Sequence, residues 1–204
     1  TPTATPSATN TSTPTSSGWT TIMQEDFEGS FPGTTWSVSD EQAGYGEYYW
    51  AKSSCQSYAG SYSGWAIGGG ANGGSLSCGA SYASNTSSLM IYGPFSLVGA
   101  AAANLNFKLW NNTESGYDYA MWLASKNGTN FYGLSTSGNS GGWVDRTFNL
   151  TNVTTIGDLT GQPNVWIAFW FQSDTSVNKA EGVYVDNVLL RKYGSTSVAE
   201  ATPS

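Results

Sequence analysis

Two pairs of carboxylates are the first candidates for chemistry in this chain of 204 residues. Glu25 and Glu28 are three positions apart, and Glu114 and Asp118 are four positions apart. Such pairs hydrolyse glycosidic bonds when one carboxyl group acts as the acid and the other as base or nucleophile. In a strand, the odd spacing places Glu25 and Glu28 on opposite faces, and Glu114 lies in a predicted turn. Neither pair therefore predicts a glycosidase, and we expect no catalytic residues.

The composition excludes several other chemistries. The chain has no histidine and two cysteines, which excludes histidine-based acid–base catalysis, Ser-His-Asp and Cys-His triads, and ordinary zinc sites. Its 14 acidic and 7 basic residues give a formal net charge of -7, so we expect no nucleic-acid partner. No stretch approaches about 18 consecutive apolar residues, so we expect no membrane-spanning segment.

The two cysteines, Cys55 and Cys78, lie in a stretch rich in Gly and Ser. The low charge of the chain and its Thr/Pro-rich start favour an exported protein, in which two such cysteines pair. The sequence therefore predicts a Cys55–Cys78 disulfide and an extracellular or cell-surface location. Because residue 1 is Thr and no signal peptide precedes it, we expect a processed form or an excised fragment.

Residues 1–17 differ from the rest of the chain in composition. They contain eleven Ser or Thr and three Pro, without a charge or an aromatic ring, so they cannot bury a hydrophobic face. This composition favours polyproline II and is typical of stalks that carry O-linked sugars. We expect a tail or linker at 1–17, a globular domain at 18–193 and a C-terminal linker at 194–204. The candidate O-glycosylation sites are Thr3, Thr5, Thr9, Thr11, Thr13 and Thr15.

Hydrophobic residues inside the globular part alternate with a period of two, as in half-buried strands. The alternation is strict over 104–110, 117–123 and 165–171, and Gly, Asn and Ser clusters separate the runs. About ten short strands with turns between them, and no long amphipathic helix, predict an all-β, antiparallel two-sheet sandwich. The other strand candidates are 19–27, 47–52, 62–67, 89–97, 129–134, 143–150 and 182–192.

The alternation assigns side chains to two faces. Tryptophans among Asn, Asp and Lys on the face opposite the core could form a platform on which sugar rings stack. Alternatively, loops or the Gly-rich segment 68–80 cover these rings as a second small core, since large aromatic side chains are buried on average. The expected core residues are Leu105, Phe107, Leu109, Tyr119, Met121, Leu123, Ile167, Phe169 and Phe171. The expected platform residues are Asn106, Lys108, Trp110, Asp118, Trp122, Trp166 and Trp170.

Three short motifs resemble one class of domain. They are Glu25-Asp-Phe-Glu-Gly29 with the following Phe31-Pro32 and Trp36, the run Ser61-Tyr-Ser-Gly-Trp65, and Gly182-Val-Tyr-Val-Asp186-Asn-Val-Leu-Leu190. They are similar to the opening, second and final strands of jelly-roll domains in the MAM and carbohydrate-binding-module families. Similar domains accompany immune inhibitor A-type metallopeptidases and many exported bacterial proteins with Thr/Pro linkers. The resemblance implies a jelly roll more strongly than it implies a function.

The resemblance also implies that the first and last strands lie side by side and hold a structural calcium ion. Hard cations take several oxygen ligands, and the carboxylates of Glu28 and Asp186 would supply two of them. Asp26 or Glu25, and backbone carbonyls near Ser63, would complete the shell. Alternatively, Glu28 and Asp186 accept hydrogen bonds from backbone amides at a corner of the sandwich.

Two functions remain open. The first is a structural or adhesive subunit in which residues 1–17 lie on the preceding copy, so that copies join head to tail into a surface filament. Its contacts would involve Thr1, Pro2, Pro6 and Pro14, and the tail would span about 50 Å as polyproline II. The second is a carbohydrate-binding accessory module of a larger secreted protein, with polysaccharide as its partner.

Overall fold

The computed structural model describes residues 16–196, with side chains described over 17–194. Two antiparallel sheets face each other across a hydrophobic core, which confirms the predicted all-β two-sheet sandwich. In chain order the elements are β1 (Ser16–Glu25), β2 (Ser37–Asp40), β3 (Tyr49–Ser53), β4 (Ser63–Gly69), α1 (Gly70–Gly73), β5 (Ser87–Phe95), β6 (Ala100–Asn112), β7 (Tyr119–Ser125), β8 (Tyr132–Thr136), β9 (Val144–Asn149), β10 (Val165–Gln172) and β11 (Gly182–Thr196).

The long last strand, β11, organises the larger sheet. This six-stranded sheet has the order β3-β4-β11-β6-β9, and β1 pairs with β11 on the same side as β4. The β1–β11 register runs from Ser16 opposite Thr196 to Glu25 opposite Val188. The first and last strands therefore lie side by side, as the jelly-roll resemblance implies. The smaller, five-stranded sheet has the order β2-β5-β10-β7-β8.

The predicted alternation is confirmed on β6 and β10, which carry much of the core. Phe107 of β6 and Phe169 of β10 meet edge to face between the sheets, with ring centroids 4.8 Å apart. The intervening polar side chains of β6 point away from the core, because neighbouring residues of a strand face opposite sides. The inward residues of these two strands are Leu105, Phe107, Leu109, Ile167, Phe169 and Phe171.

The orientation of β7 differs from the prediction. Both alternating sets of this strand are apolar, so periodicity alone cannot choose between them. Pairing with β10 decides, since Trp122 lies opposite Phe169 and packs edge-on against Phe107 with centroids 5.5 Å apart. Ala120, Trp122 and Ala124 face the core between the sheets. The prediction that Tyr119, Met121 and Leu123 face it is wrong, although Leu123 is buried on the outer face.

Two elements were not predicted from the sequence. The strand β2 has a single apolar side chain, Val38, and is held in the sheet by pairing with β5, where Val38 lies opposite Met90. The helix α1 has the sequence GANG, whose glycines have low helix propensity. No helix within residues 16–196 is long and apolar enough to cross a membrane.

Candidate functional site

The four tryptophans of the predicted platform lie in three different layers of the sandwich. Trp122 is buried in the core. Trp110 lies on the outer face of the six-stranded sheet, opposite Tyr184 of β11. Trp166 and Trp170 lie on the outer face of the five-stranded sheet. The expected single platform is therefore not formed, because β6 belongs to a different sheet from β7 and β10, and because β7 turns its tryptophan inward.

One end of the outer face of the six-stranded sheet carries a group of three rings, two buried and one half-buried, which we call the covered end. Trp65 of β4 stacks on Tyr184 at 5.4 Å between centroids and 9° between planes, and Trp110 meets Tyr184 edge-on at 5.5 Å. Trp65 is only 3% exposed. Trp110 is half-buried at the edge of this group.

A disulfide joins the chain segments beside the covered end. Cys55 and Cys78 are bonded, with Cα atoms 5.2 Å apart, as the sequence predicts. Next to these cysteines, the Gln56 amide and the Gly79 backbone N–H both donate to the Glu181 carboxylate. The backbone carbonyl of Glu181 accepts the indole N–H of Trp65. The loops at the two cysteines are thus tied to the strand end beside Tyr184.

The Tyr184 hydroxyl is the polar atom that this packing leaves without a partner. It is buried and makes no hydrogen bond within the described residues. Burial, and secondarily the charge of Glu181, raises the pKa of Tyr184 well above its usual value. At the covered end, close packing of the rings therefore leaves the Tyr184 hydroxyl without a hydrogen bond.

The other end of the same face, which we call the open end, is formed by Trp19, Arg191 and Tyr193. Trp19 is 45% exposed and meets Tyr193 edge-on with centroids 5.6 Å apart. The guanidinium carbon of Arg191 lies 4.5 Å from the centroid of the Trp19 ring, a cation–π distance. These residues place an exposed aromatic ring beside a half-buried positive charge at the surface.

A bulge in β1 explains why sequence reasoning missed Trp19. The β1–β11 register shifts between Thr21 and Met23. Met23 is buried in the core, and without the shift a strict alternation would turn Trp19 to the core as well. No residue in this segment is a glycine or proline that would have indicated a bulge.

Next to the open end, three polar side chains form a hydrogen-bonded row that we call the amide ladder: Asn104, Asn106 and Thr147. The Oδ1 of Asn104 accepts Arg191 Nε at 3.1 Å and Asn106 Nδ2 at 2.7 Å. The Oδ1 of Asn106 accepts the Thr147 hydroxyl at 2.9 Å. Each side chain is therefore held in one orientation before any ligand arrives.

Beyond the amide ladder the face continues to a second aromatic pair, in which Tyr58 is exposed and Trp143 is half-buried. Lys108 forms an ion pair with Asp145 at 2.6 Å and lies 4.1 Å from the ring centroid of Tyr58, which is 46% exposed. Tyr58 meets Trp143 edge-on at 6.2 Å. The hydrogen bond to Asp145, with a further one to Tyr58, raises the pKa of the Lys108 ammonium.

We call the whole surface, from the open end through the amide ladder to Tyr58, the polar strip. Its central part follows β6 from Ala102 to Lys108, about 20 Å of extended chain. Exposed aromatic rings stand at both ends, with amide, hydroxyl and charged groups between them. Such a surface can stack apolar ring faces and hydrogen-bond many hydroxyl groups along an extended ligand.

The outer face of the five-stranded sheet has a different chemistry. Its central side chains form an apolar cluster without a charged member, and Trp170 directs its indole N–H to the Ser87 hydroxyl at 3.0 Å. Trp166 packs against the backbone of Gly93 and Gly128. This face offers few groups for hydrogen bonding. The cluster consists of Leu89, Leu123 and Ala168, which are buried, and Ile91, Met121, Phe131 and Trp170 around them.

The corner predicted to hold calcium is occupied by backbone amides. Asp186 is buried, and its Oδ2 accepts the backbone N–H groups of Tyr58 and Ala59 at 2.8 and 3.2 Å. Glu28 Oε1 accepts those of Ser61 and Tyr62 at 2.8 and 2.9 Å. Burial raises the pKa of Asp186, and these amide hydrogen bonds oppose the rise. This is the alternative arrangement considered in the sequence analysis.

The remaining predicted ligands are engaged as well. Lys52 Nζ donates to the backbone carbonyl oxygens of Glu28 and Gly29 at 2.8 and 3.0 Å, so these two oxygens are already hydrogen-bonded to an ammonium group. Asp26 Oδ1 accepts the backbone N–H of Glu28, and the Ser63 hydroxyl donates to the Gln56 carbonyl. The predicted ligands Glu28, Asp186, Asp26 and Ser63 thus each have at least one oxygen engaged within the protein, and a calcium ion at this corner stays a prediction.

A different group of acidic residues could hold a metal ion. Within the described part of the chain, carboxylate oxygens of Glu114, Asp118 and Asp174 lie within 4.8 Å of one another. Asp118, predicted for the platform, is buried here and accepts the Tyr82 hydroxyl and the Asp174 backbone N–H. Burial, and the charges of Asp174 and Asp118, raise the pKa of Glu114.

Several predictions lie outside the described residues. The proposed tail contacts at Thr1, Pro2, Pro6 and Pro14, and the candidate O-glycosylation sites from Thr3 to Thr15, precede residue 16. They stay predictions, as does the division of the chain at residues 17 and 194.

Comparisons with known proteins agree on the fold. No family model matches the chain, and no curated protein matches it. The K1 cleaved adhesin domain of Lys-gingipain from Porphyromonas gingivalis W83 is 16% identical, covers 82% of this chain and 96% of its own length, and has a TM-score of 0.55. The K3 adhesin domain of the same protein is 14% identical, with coverages of 84% and 98% and a TM-score of 0.53.

A third similar structure is a family 11 carbohydrate-binding module of a cellulosomal cellulase from Clostridium thermocellum. It is 14% identical, covers 91% of this chain and 99% of its own length, and has a TM-score of 0.49. At these identities the likeness of the adhesin domains shows the fold alone. The resemblance to MAM domains, and to the domains that accompany immune inhibitor A-type metallopeptidases, stays a resemblance of short motifs.

Proposed function

We propose that this chain is a non-catalytic adhesive module of an exported protein and that it binds polysaccharide along the polar strip. The observation that carries the proposal is the pairing of exposed aromatic rings at both ends of the strip with the hydrogen-bonded amide ladder between them. The fold likeness to adhesin domains supports an adhesive role. The disulfide supports export, because such bonds persist in oxidising compartments.

The physical argument concerns the entropy of ordering side chains. Long polar side chains lose rotamer freedom when they bind a ligand, which weakens affinity. Asn104, Asn106 and Thr147 are already ordered by one another, so much of this loss occurs on folding rather than on binding. Trp19 and Tyr58 present apolar rings against which a sugar ring can be desolvated. A flexible polymer of hydroxyl-rich rings matches both requirements.

Affinity gel electrophoresis in a panel of soluble polysaccharides tests this proposal. We expect at least one polymer to retard the full chain, and Trp19→Ala or Tyr58→Ala to remove the retardation. Tyr45→Ala and Tyr117→Ala serve as matched controls, because these rings are 62% and 63% exposed but lie outside the polar strip. Absence of retardation in every polymer, or equal effects of strip and control variants, would contradict the proposal.

The absence of catalysis is tested on the same polymers. Within the described residues, the carboxylates of Glu114, Asp118 and Asp174 form one close group, which lies apart from the polar strip in the segments before β7 and after β10. We expect no release of reducing sugar during prolonged incubation. Release that disappears in Glu114→Gln would show that the chain is an enzyme.

Self-association is a second candidate function, and the apolar cluster on the five-stranded sheet favours it. Half-buried Ile91, Met121 and Trp170 form a face without charge that a second copy could cover. In this proposal residues 1–17 reach the preceding copy and the apolar cluster adds to the contact. Light scattering at high concentration should show assemblies that both Met121→Lys and deletion of 1–17 dissolve. A full chain that stays monomeric would contradict it.

Calcium is a further part of the proposal, as a structural ion at the acidic triad of Glu114, Asp118 and Asp174. The three carboxylates have oxygens within 4.8 Å of one another, and the buried Glu114 Oε2 has no hydrogen-bond partner within the described residues, so a hard divalent cation would neutralise and coordinate this group. Excess calcium should raise the thermal midpoint relative to chelator. The rise should vanish in Glu114→Gln and persist in Glu28→Gln. Equal midpoints with and without calcium would exclude the ion.

A further inference from the structure

Arg191 is a charged side chain that the fold orients but does not neutralise. Its Nε donates to Asn104 Oδ1 at 3.1 Å, and its guanidinium carbon lies 4.5 Å from the Trp19 ring centroid. Within residues 16–196 the one ion pair is Lys108–Asp145, and the terminal nitrogens of Arg191 make no hydrogen bond. Two neighbours therefore fix the guanidinium while the edge with its two terminal nitrogens stays free.

The strand register keeps carboxylates away from this free edge. The cross-strand neighbours of Arg191 are Thr21 on β1 and Asn104 on β6, and Asn104 in turn lies opposite Asn149 on β9. The nearest carboxylate along β9 is Asp145, four residues from Asn149 and thus about 13 Å away along the strand. That carboxylate is already paired with Lys108.

The neighbouring rows of the same face are also free of acidic groups. One row pairs Trp19 with Tyr193 and Ala102, and the other pairs Leu189 with Asn106 and Thr147. In a chain with a formal net charge of -7, the open end is thus a local site of unpaired positive charge. The unpaired charge, its fixed orientation and the adjacent exposed ring are three independent features of one place.

We propose that Arg191 and Trp19 form a subsite for a carboxylate-bearing sugar, so that the polar strip selects acidic polysaccharides containing uronic acid. This inference rests on the proposed function and names the ligand class of the same surface. The planar guanidinium matches the two oxygens of a carboxylate with two parallel hydrogen bonds. Trp19 offers the adjacent ring surface for the sugar that carries the carboxylate.

Asn104 acts as the positioning residue of this subsite. Its Oδ1 accepts from Arg191 and from Asn106, so its amide nitrogen points away from both donors. Replacing this amide with a carboxylate would place a negative charge against Nε of Arg191 and neutralise the guanidinium that is proposed to bind the ligand carboxylate. In Asn104→Asp, Arg191 should therefore form an ion pair within the protein. The variant should lose the preference for acidic polysaccharides and keep the fold.

Polygalacturonate, alginate and glucuronoxylan, each compared with the same polymer after methyl esterification of its carboxyl groups, test the inference. Isothermal titration should show that the full chain binds at least one acidic polymer about tenfold more tightly than its ester, since charged hydrogen bonds are stronger than neutral ones. Arg191→Gln and Asn104→Asp should remove this difference, and Arg191→Lys should reduce it. Lys126→Gln is the control, because Lys126 is an exposed cation outside the polar strip.

The outcomes separate this inference from the proposed function. Equal binding of acidic and esterified polymers would overturn the carboxylate subsite while leaving polysaccharide binding intact. Selectivity that survives in both Arg191→Gln and Asn104→Asp would place acid recognition elsewhere and would also overturn it. Binding to no polysaccharide, neutral or acidic, would overturn both statements. Unchanged thermal midpoints of the variants would show that loss of selectivity is not loss of fold.

Discussion

The covered end and the open end of one sheet face contain similar residues and differ in what lies over them. The same strand, β11, supplies Tyr184 to the first and Tyr193 to the second. Trp65 at the covered end is 3% exposed, whereas Trp19 at the open end is 45% exposed. At the covered end, loops tied together by a disulfide and by Glu181 exclude solvent.

This difference teaches that residue type does not decide the role of an aromatic ring on this face. A ring under a loop contributes to the stability of the fold through the apolar surface it buries. A ring of the same kind without a cover contributes little stability, and its surface stays available for a ligand. The two ends can therefore be separated by experiments that measure stability and binding independently.

The largest expected effect is the loss of the stacked ring at the covered end. Trp65→Ala removes a large buried side chain from between Tyr184 and its surroundings, and should lower the free energy of unfolding by about 3–5 kcal/mol. Trp19→Ala, the matched change at the open end, should alter it by less than about 0.5 kcal/mol. Urea unfolding monitored by circular dichroism measures both, and similar losses would break the comparison.

The next largest effect concerns the disulfide beside the covered end. Cys55 and Cys78 close a loop with a sequence separation of 23, and replacing both by Ala should lower the free energy of unfolding by about 3 kcal/mol. Iodide should then quench more of the tryptophan fluorescence, because the loops no longer hold solvent away from Trp65 and Trp110. Polysaccharide binding along the polar strip should be unchanged, and its loss would show that the two ends are coupled.

A pH dependence sharpens the comparison further. The pKa of Tyr184 is raised by burial, so the folded chain keeps this proton at pH values at which the unfolded chain, with a tyrosine pKa of about 10, releases it. The free energy of unfolding is therefore unaffected by the ionisation of this group below about pH 10. As the pH rises from there toward the folded pKa, the free energy of unfolding falls by up to about 1.4 kcal/mol per pH unit. Unfolding measured at about pH 9 and 11 should show a smaller loss in Tyr184→Phe than in the full chain. Some loss remains in the variant, because burial also raises the pKa values of Tyr82 and Tyr92.

The smallest expected effect is a gain in stability at neutral pH. Tyr184→Phe removes a buried hydroxyl that has no partner within the described residues, and should raise the free energy of unfolding by about 1 kcal/mol. Tyr193→Phe is the matched control, since its hydroxyl lies 3.2 Å from the Ser17 hydroxyl at an exposed position. A loss of stability in Tyr184→Phe would mean that the hydroxyl is satisfied in solution.

Much of the fold follows from local patterns that act within single strands. The alternation of Leu105, Phe107 and Leu109 needs no knowledge of neighbouring strands, because the polar residues between them can face only solvent or a loop. The disulfide followed from compartment and composition. The side-by-side placement of the first and last strands came with the jelly-roll resemblance.

The candidate site was harder to predict because it depends on relations between strands. The orientation of β7 is set by the pairing of Trp122 with Phe169, and the exposure of Trp19 by a one-residue bulge in β1. The cover over Trp65 comes from loops whose positions no periodic pattern records. The predicted calcium corner depends on loops in the same way, since the backbone N–H of Tyr58 donates to Asp186 from a loop that is distant in sequence.

The antiparallel pairing of β1 with β11 has a mechanical consequence. Ser16 lies opposite Thr196, so tension applied through the chain on both sides of the described residues would pull these two strands apart from one end. Antiparallel strands loaded in this way unzip one pair of hydrogen bonds at a time instead of resisting together in shear. The first aromatic contact between β1 and β11 from that end joins Trp19 to Tyr193. Under such tension the open end, where we propose that the ligand binds, would separate before the core does.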